Sequence, residues 1–218
     1  MCANPAADPA AGWCYYLRPG LSLRTRRPAG TPEGERVLLI NPEGAFPPSH
    51  PATRLCLELL SVALAAGPVH SFLDVGCGSG VLALAAAALG VSKVVGVDIA
   101  PAAVRATRQN ALANGLASRL HVIHGSTECL KGPFELVAAN LHPEVHRAKV
   151  SELLRLTAPR GRLLLAGLRE PDEAKLWAAY AAAGWRLDER RTRGFTPPGL
   201  PSEVSFVWVA GLLAPAAG

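Results

Sequence analysis

FLDVGCGSG, residues 72–80, is the stretch whose reading decides the fold. Phe72, Leu73 and Val75 form a short apolar run that reads as a buried strand. Gly76, Gly78 and Gly80 break that run, and the alanine-rich segment from Val81 to Leu89 then reads as a helix. A strand, a glycine turn and a helix in this order suit a small polar ligand. Glycine lacks a Cβ and tolerates positive φ, so the backbone can approach closely, and the helix start offers unpaired N–H groups.

Spacing narrows the ligand. The dinucleotide fingerprint G-x-G-x-x-G would need glycine at Val81, with a pyrophosphate on the helix N-terminus. Here the pattern is D-x-G-x-G-x-G. An acid at Asp74 repels a pyrophosphate but can hold an ammonium, directly or through water, which favours an amino-acid-bearing cofactor, S-adenosylmethionine. Val94 to Val97 reads as the next strand, and Asp98 at its end lies where a doubly wound fold offers a carboxylate to ribose hydroxyls. Asp98 would serve NAD equally well.

Outward from the turn, strands and helices alternate. Arg36 to Ile40 reads as a strand, followed by turn chemistry at Asn41 to Gly44 and a helix from Pro51 to Ala65 closed by Gly67-Pro68. Beyond Asp98 the pattern predicts a helix over Pro101 to Asn114, strands at Leu120 to Ile123 and Leu136 to Ala139, and one helix from Glu144 to Leu156. A strand at Leu163 to Ala166, a helix from Pro171 to Ala183, and two antiparallel strands at Trp185 to Arg191 and Val204 to Val209 complete it, the last two joined by Gly194 to Pro201. The fold class this implies is α/β: a doubly wound, mostly parallel seven-stranded sheet with helices on both faces and a C-terminal antiparallel strand pair. Ligands bind beyond the carboxyl ends of such strands, which places Asp74 to Gly80, Asp98, Gly125 to Thr127 and Asn140 along one rim.

Residues 1–35 are rich in Pro, Ala, Gly and Arg and are expected to form an irregular arm, with one short strand at Tyr15 to Leu17, ahead of a single domain over 36–218. The apolar runs stop well short of the roughly 20 residues a membrane helix needs. No basic region followed by an apolar core opens the chain, so a cytoplasmic protein without membrane partners is expected. The five cysteines form no C-x-x-C pair and read as reduced thiols. The net charge of +5 comes almost entirely from arginine, concentrated at Arg18, Arg24, Arg26 and Arg27 and again at Arg186, Arg190, Arg191 and Arg193. With no aromatic-interleaved RNA module beside them, these read as a solvated loop and a charge-guarded edge strand rather than a nucleic-acid surface.

With these residues in view, the chain resembles a class I S-adenosylmethionine-dependent methyltransferase. More narrowly it is similar to the bacterial enzymes that methylate amino groups of the eleventh large-subunit ribosomal protein. The similarity rests on INPEGAFPPSHPATRLCLELL (40–60), LDVGCGSG (73–80), VVGVDIAP (94–101) and FELVAANL (134–141). The resemblance implies that Thr53, Gly76, Asp98 and Asn140 hold the cofactor. Cys77, Gly78, Gly80, Ile99 and Ser126 complete the expected contacts, with backbone near Gly125 and Ser126 taking the adenine. Two features depart from the family: about 35 residues stand where it has a longer recruiting domain, and Pro47-Pro48-Ser49 replaces its glycine- and threonine-rich loop between Phe46 and His50.

The expected chemistry is methyl transfer to nitrogen, with a protein amine as acceptor. A small-molecule or RNA acceptor, a non-catalytic cofactor-binding subunit and a nicotinamide oxidoreductase are the alternatives. In-line displacement at a sulfonium needs alignment and exclusion of water more than a strong base. Asn140 would orient the acceptor amine, and His142 is the candidate general base or acceptor-lining group. Phe46 is a candidate wall of the pocket. His142 and His146 stand four apart around Glu144, but Pro143 precedes that Glu and the helix is only starting, so the zincin pattern is not met and no metal is expected.

Overall fold

Alternate residues of the central strands face two different layers of apolar core, as the two-residue period of a β-strand requires. Phe72, Leu136, Ala138, Leu164, Ala166 and Leu212 face one cluster; Leu73, Val75, Val137, Ala139, Leu163, Leu165 and Leu213 face the other. The structure is a computed structural model and describes residues 12–31, 33–196, 199 and 205–216. In chain order it contains β1 (Cys14–Arg18), β2 (Leu21–Arg24), β3 (Arg36–Leu39), α1 (Pro51–Ala65), β4 (Ser71–Val75), α2 (Val81–Ala88), β5 (Lys93–Asp98), α3 (Pro101–Ala113) and β6 (Leu120–His124). There follow β7 (Phe134–Asn140), α4 (Pro143–Ala148), α5 (Val150–Leu156), β8 (Thr157–Arg169), α6 (Glu170–Ala182), β9 (Trp185–Phe195) and β10 (Phe206–Pro215).

The main sheet has seven strands in the order β6-β5-β4-β7-β8-β10-β9. The first four pairings are parallel, and β10 runs antiparallel to both β8 and β9. This is the expected architecture. Helix α2 is buried all round, from Val81 to Ala87, which is why its sequence is apolar without a polar stripe. No helix among the described residues is long and apolar enough to cross a membrane.

Three expectations are corrected. The strand expected at Tyr15 to Leu17 is present as β1, but it does not stand alone in an irregular arm: β2 forms an antiparallel hairpin with it and pairs in parallel with β3. Tyr15, Leu17, Leu21, Leu23, Leu38 and Ile40 are buried against the α1 and α2 side of the sheet, so tertiary burial supplies what the local composition does not. The helix expected over Glu144 to Leu156 is broken at Lys149, whose N–H is shared between the Val145 and His146 carbonyls and whose ammonium pairs with Glu128 and Glu152. Strand β8 starts at Thr157 rather than Leu163. Pro159 is accommodated because the β7 to β8 register jumps from Phe134↔Thr157 to Leu136↔Arg162, leaving the proline in an irregularity where no ladder donor is needed. The join from Gly194 to Pro201 and the start expected at Val204 fall largely outside the described residues.

Candidate active site at the glycine turn

The turn after β4 is left-handed at Gly76, Gly78 and Gly80, with φ of 72°, 56° and 82°. Each glycine meets a different constraint. A Cβ on Gly76 would lie 2.6 Å from the Leu141 side chain, and one on Gly80 2.8 Å from Thr107. At Gly78 a Cβ would meet nothing within 4 Å, so there the backbone faces open space. The Gly76 and Cys77 N–H groups both donate to the Val97 carbonyl, at 2.8 and 3.1 Å, which ties the turn to the end of β5.

The two acids are in contrasting surroundings. Asp98 is half-buried; its carboxylate accepts from the Gly78 N–H at 3.0 Å and the Ala100 N–H at 2.9 Å, and so braces the turn while facing the cavity. Asp74 is buried beneath the turn and accepts from the Ala83 N–H at 3.1 Å in the first turns of α2. Desolvation pushes its pKa up to about 7, the Ala83 N–H opposes that rise, and the Asp98 charge adds to it.

Three cavities lie in a row along the carboxyl rim of the sheet. The first, about 410 Å³, is walled by Phe46, Gly76, Gly78, Asp98, Ile99 and Ser126 among others. The second is small, about 140 Å³, and lined by Phe46, Thr53, Asp74, Gly76, Cys77, Gly78, Ser79 and Asn140. Phe46, Gly76 and Gly78 belong to both, so the two are adjoining. Ile99 is 73% exposed at the mouth of the first and Phe46 50% exposed between them, apolar surfaces that a flat apolar ligand would cover. Asn140 ends β7 and its side-chain amide has no hydrogen-bond partner among the described residues.

The third cavity, about 430 Å³, is lined by His142, Glu144, Arg147, Gly167, Arg169, Asp172, Phe195, Phe206 and Trp208. An aromatic row connects it to the others. Phe46 packs on His50 with ring centroids 4.4 Å apart, and His50 meets Trp208 edge-on at 4.5 Å. His50 also caps α1, its Nδ1 accepting from the Ala52 N–H at 3.2 Å.

Most of the sequence-predicted site residues line the first two cavities, with Gly80 and His142 the exceptions. Gly80 lines none of the three cavities; its Cα faces Thr107, and its role is to start α2. His142 is exposed and lines the third cavity, apart from Asn140, because the chain turns outward at Leu141 before α4 begins. Cys77 borders the small cavity, yet its thiol sits 3.5 Å from the Thr107 hydroxyl and against Gly96, with its pKa pushed up to about 12 by burial, so it is an inert packing group. His146 does not join His142: it is buried, and its Nε2 donates to the Ala166 carbonyl at 2.7 Å. Thr127, expected on the rim, walls the first cavity, as do Leu141, Val145 and Lys149, which were not read from the sequence. Adjacency to Asn140 could have found Leu141; nothing local marks Lys149.

The family model described as ribosomal protein L11 methyltransferase (PrmA) matches residues 25–194. A ribosomal protein L11 methyltransferase of a Geobacter species is 43% identical over 155 residues, 69% of this chain and 51% of that protein. The same-named protein of Geobacter metallireducens is 36% identical over 194 residues, 86% of this chain and 63% of that protein. The chain thus spans about half to two-thirds of the length of these curated relatives. In fold it is similar to the crystal structure of ribosomal protein L11 methylase from Lactobacillus delbrueckii subsp. bulgaricus, with a TM-score of 0.76 at 22% identity over 94% of this chain and 99% of that one. With its glycine turn, its paired acids and a match over most of its length, this chain belongs to the ribosomal protein L11 methyltransferase (PrmA) family.

Proposed function

We propose that this chain is an S-adenosylmethionine-dependent methyltransferase that methylates an amine of a protein. The observation that carries the reading is the order of groups along the rim: a ribose-type acid, Asp98, at one cavity, the unpartnered amide of Asn140 at the next, and a wider mixed-charge cavity beyond it. The residues fit the cofactor. Gly78 leaves backbone open at the first cavity, Ile99 offers an uncovered apolar face, and Asp74 places a buried carboxyl by the small cavity. When bound, S-adenosylmethionine supplies an electrophilic methyl sulfonium.

On this reading Asp98 accepts from two ribose hydroxyls, Ile99 and Leu141 cover the adenine, and Ser126 borders it. Thr53, Asp74 and Asn140 surround the amino-acid end. Asn140 and the backbone after it accept hydrogen bonds from the acceptor amine and point its lone pair into the small cavity. A lysine ammonium must shed a proton first, and transfer into a space walled by Phe46 and the glycine turn favours its neutral form by desolvation. His142, with Trp208, lines the approach of the acceptor rather than the reacting atoms. The basic C-terminal run does not favour a nucleic acid, since Arg186, Arg190, Arg191 and Arg193 are ion-paired with Asp188, Glu170 and Glu173, Glu189 and Glu58.

The test is transfer of labelled methyl from S-adenosylmethionine into cell extract, followed by protease and nuclease digestion and mass spectrometry. The expected label is in a protein amine. With that acceptor, Asn140→Ala should lower turnover by roughly 100-fold while S-adenosylhomocysteine affinity changes far less, because an orienting contact acts on the chemical step. Label in nucleic acid would displace the protein-amine reading.

A further inference from the structure

The Ala166 carbonyl accepts two hydrogen bonds, one from the Leu141 N–H at 3.1 Å and one from His146 Nε2 at 2.7 Å. Ala166 is the register partner of Asn140 across β7 and β8, so both bonds converge on the β8 residue that faces Asn140, and one of them comes from the residue that follows it. Because a carbonyl can only accept, His146 holds its proton on Nε2. Nδ1 is left with a lone pair, buried and without a partner. An apolar side chain would fill the same space without stranding a polar atom, so packing alone does not account for a histidine here. Burial keeps the ring neutral, its pKa pushed down to about 4, and the donor therefore persists at neutral pH. On the other side stands Gly167, at φ 87°, where a Cβ would come within 2.3 Å of the Leu141 carbonyl oxygen. Residue 141 is thus held between a carbonyl anchored by His146 and a glycine that permits close approach.

We propose that His146 is a positioning residue for methyl transfer: it anchors the Ala166 carbonyl that receives the Leu141 N–H, and so fixes Asn140 at the small cavity. This rests on the methyltransferase reading above. His146 touches neither substrate nor cofactor and acts through residues 140–141.

Two substitutions in the whole chain test it. His146→Leu removes the donor and the stranded nitrogen together, while His146→Gln restores an N–H at the position of Nε2. In His146→Leu, amide hydrogen exchange followed by NMR should show the Leu141 N–H exchanging about five- to tenfold faster, because the opening that exposes it no longer has to break the His146 bond to the same carbonyl, worth about one hydrogen bond. Turnover on the labelled acceptor should fall roughly 10- to 100-fold with S-adenosylhomocysteine affinity within about twofold. His146→Gln should return both to near wild type. Unchanged Leu141 exchange in His146→Leu would overturn the proposal, as would a turnover loss that Gln does not rescue or that cofactor affinity matches. His146→Met replaces the Leu variant if that one does not fold. Should the wild type transfer no methyl group, the function reading fails, and the exchange comparison alone decides whether the His146 anchor exists.

Discussion

Asp74 carries the clearest pH signature in the molecule. With the folded pKa at about 7 and the unfolded one about 4, the folded state keeps a proton over that window that the unfolded state has lost. Ligand-free stability therefore falls as pH rises from about 4 to 7, and the loss is complete above the folded value. The groups facing Asp74 do not reverse this: the Cys56 and Cys77 thiols are held neutral by burial, and Asp98 opposes ionisation. Asp74→Asn, which can still accept from the Ala83 N–H, should remove that fall in a pH series of thermal melts; an unchanged slope would contradict the assignment. An incoming ammonium reverses the preference, so S-adenosylhomocysteine should bind more tightly as pH rises through about 7, with a flatter profile in Asp74→Asn. Asp98 makes a different prediction. Asp98→Ala removes a charged acceptor for ribose, the brace to Gly78 in the glycine turn and the bond to the Ala100 N–H, so calorimetry should show affinity weaker by about 1.5–3 kcal/mol or more. Wild-type affinity in that variant would make Asp98 a structural residue only.

At the scale of elements, the loop that carries Phe46 is held by α3. Asn110 is buried there; its side chain accepts from the Asn41 N–H at 3.0 Å and donates to the Asn41 and Ser79 carbonyls, both at 2.9 Å. Asn114, one turn later, bonds the Leu39 N–H and carbonyl. Asn110→Ala leaves three backbone groups unpaired, which should cost on the order of 1–3 kcal/mol, lower the ligand-free melting temperature by several degrees, and weaken cofactor binding through the loosened loop. Identical melting would contradict the role. Neither asparagine is legible in the sequence, because these partners lie 31 to 75 positions away. The same limit hid β2 and its pairing with β1, whose short apolar runs gain their order by docking on the α1 and α2 side of the sheet. The central strands were legible because Phe72, Leu73 and Val75 around Asp74, and the runs Val94 to Val97 and Leu136 to Ala139, are apolar and bounded by glycine, acid or asparagine. The break at Lys149 had no glycine or proline to announce it.

At the scale of the whole molecule, the sheet order puts the strand-borne groups of the candidate site on one rim, and the residue types there were legible because the chemistry at strand ends is restricted: an acid at the end of β4 and of β5, an amide at the end of β7. What the sequence did not reveal is how the chain departs from those ends. His142 lines the third cavity rather than the one beside Asn140: Gly167 leaves room for the Leu141 backbone, and Pro143 holds His142 extended at the start of α4. The most direct test of the central claim is thermal melting of the wild-type chain with S-adenosylhomocysteine. At about 100 times its dissociation constant the ligand should stabilise the fold by roughly 2.7 kcal/mol, and the melting temperature should rise by several degrees. No rise at millimolar ligand would contradict S-adenosylmethionine as the cofactor of the glycine turn.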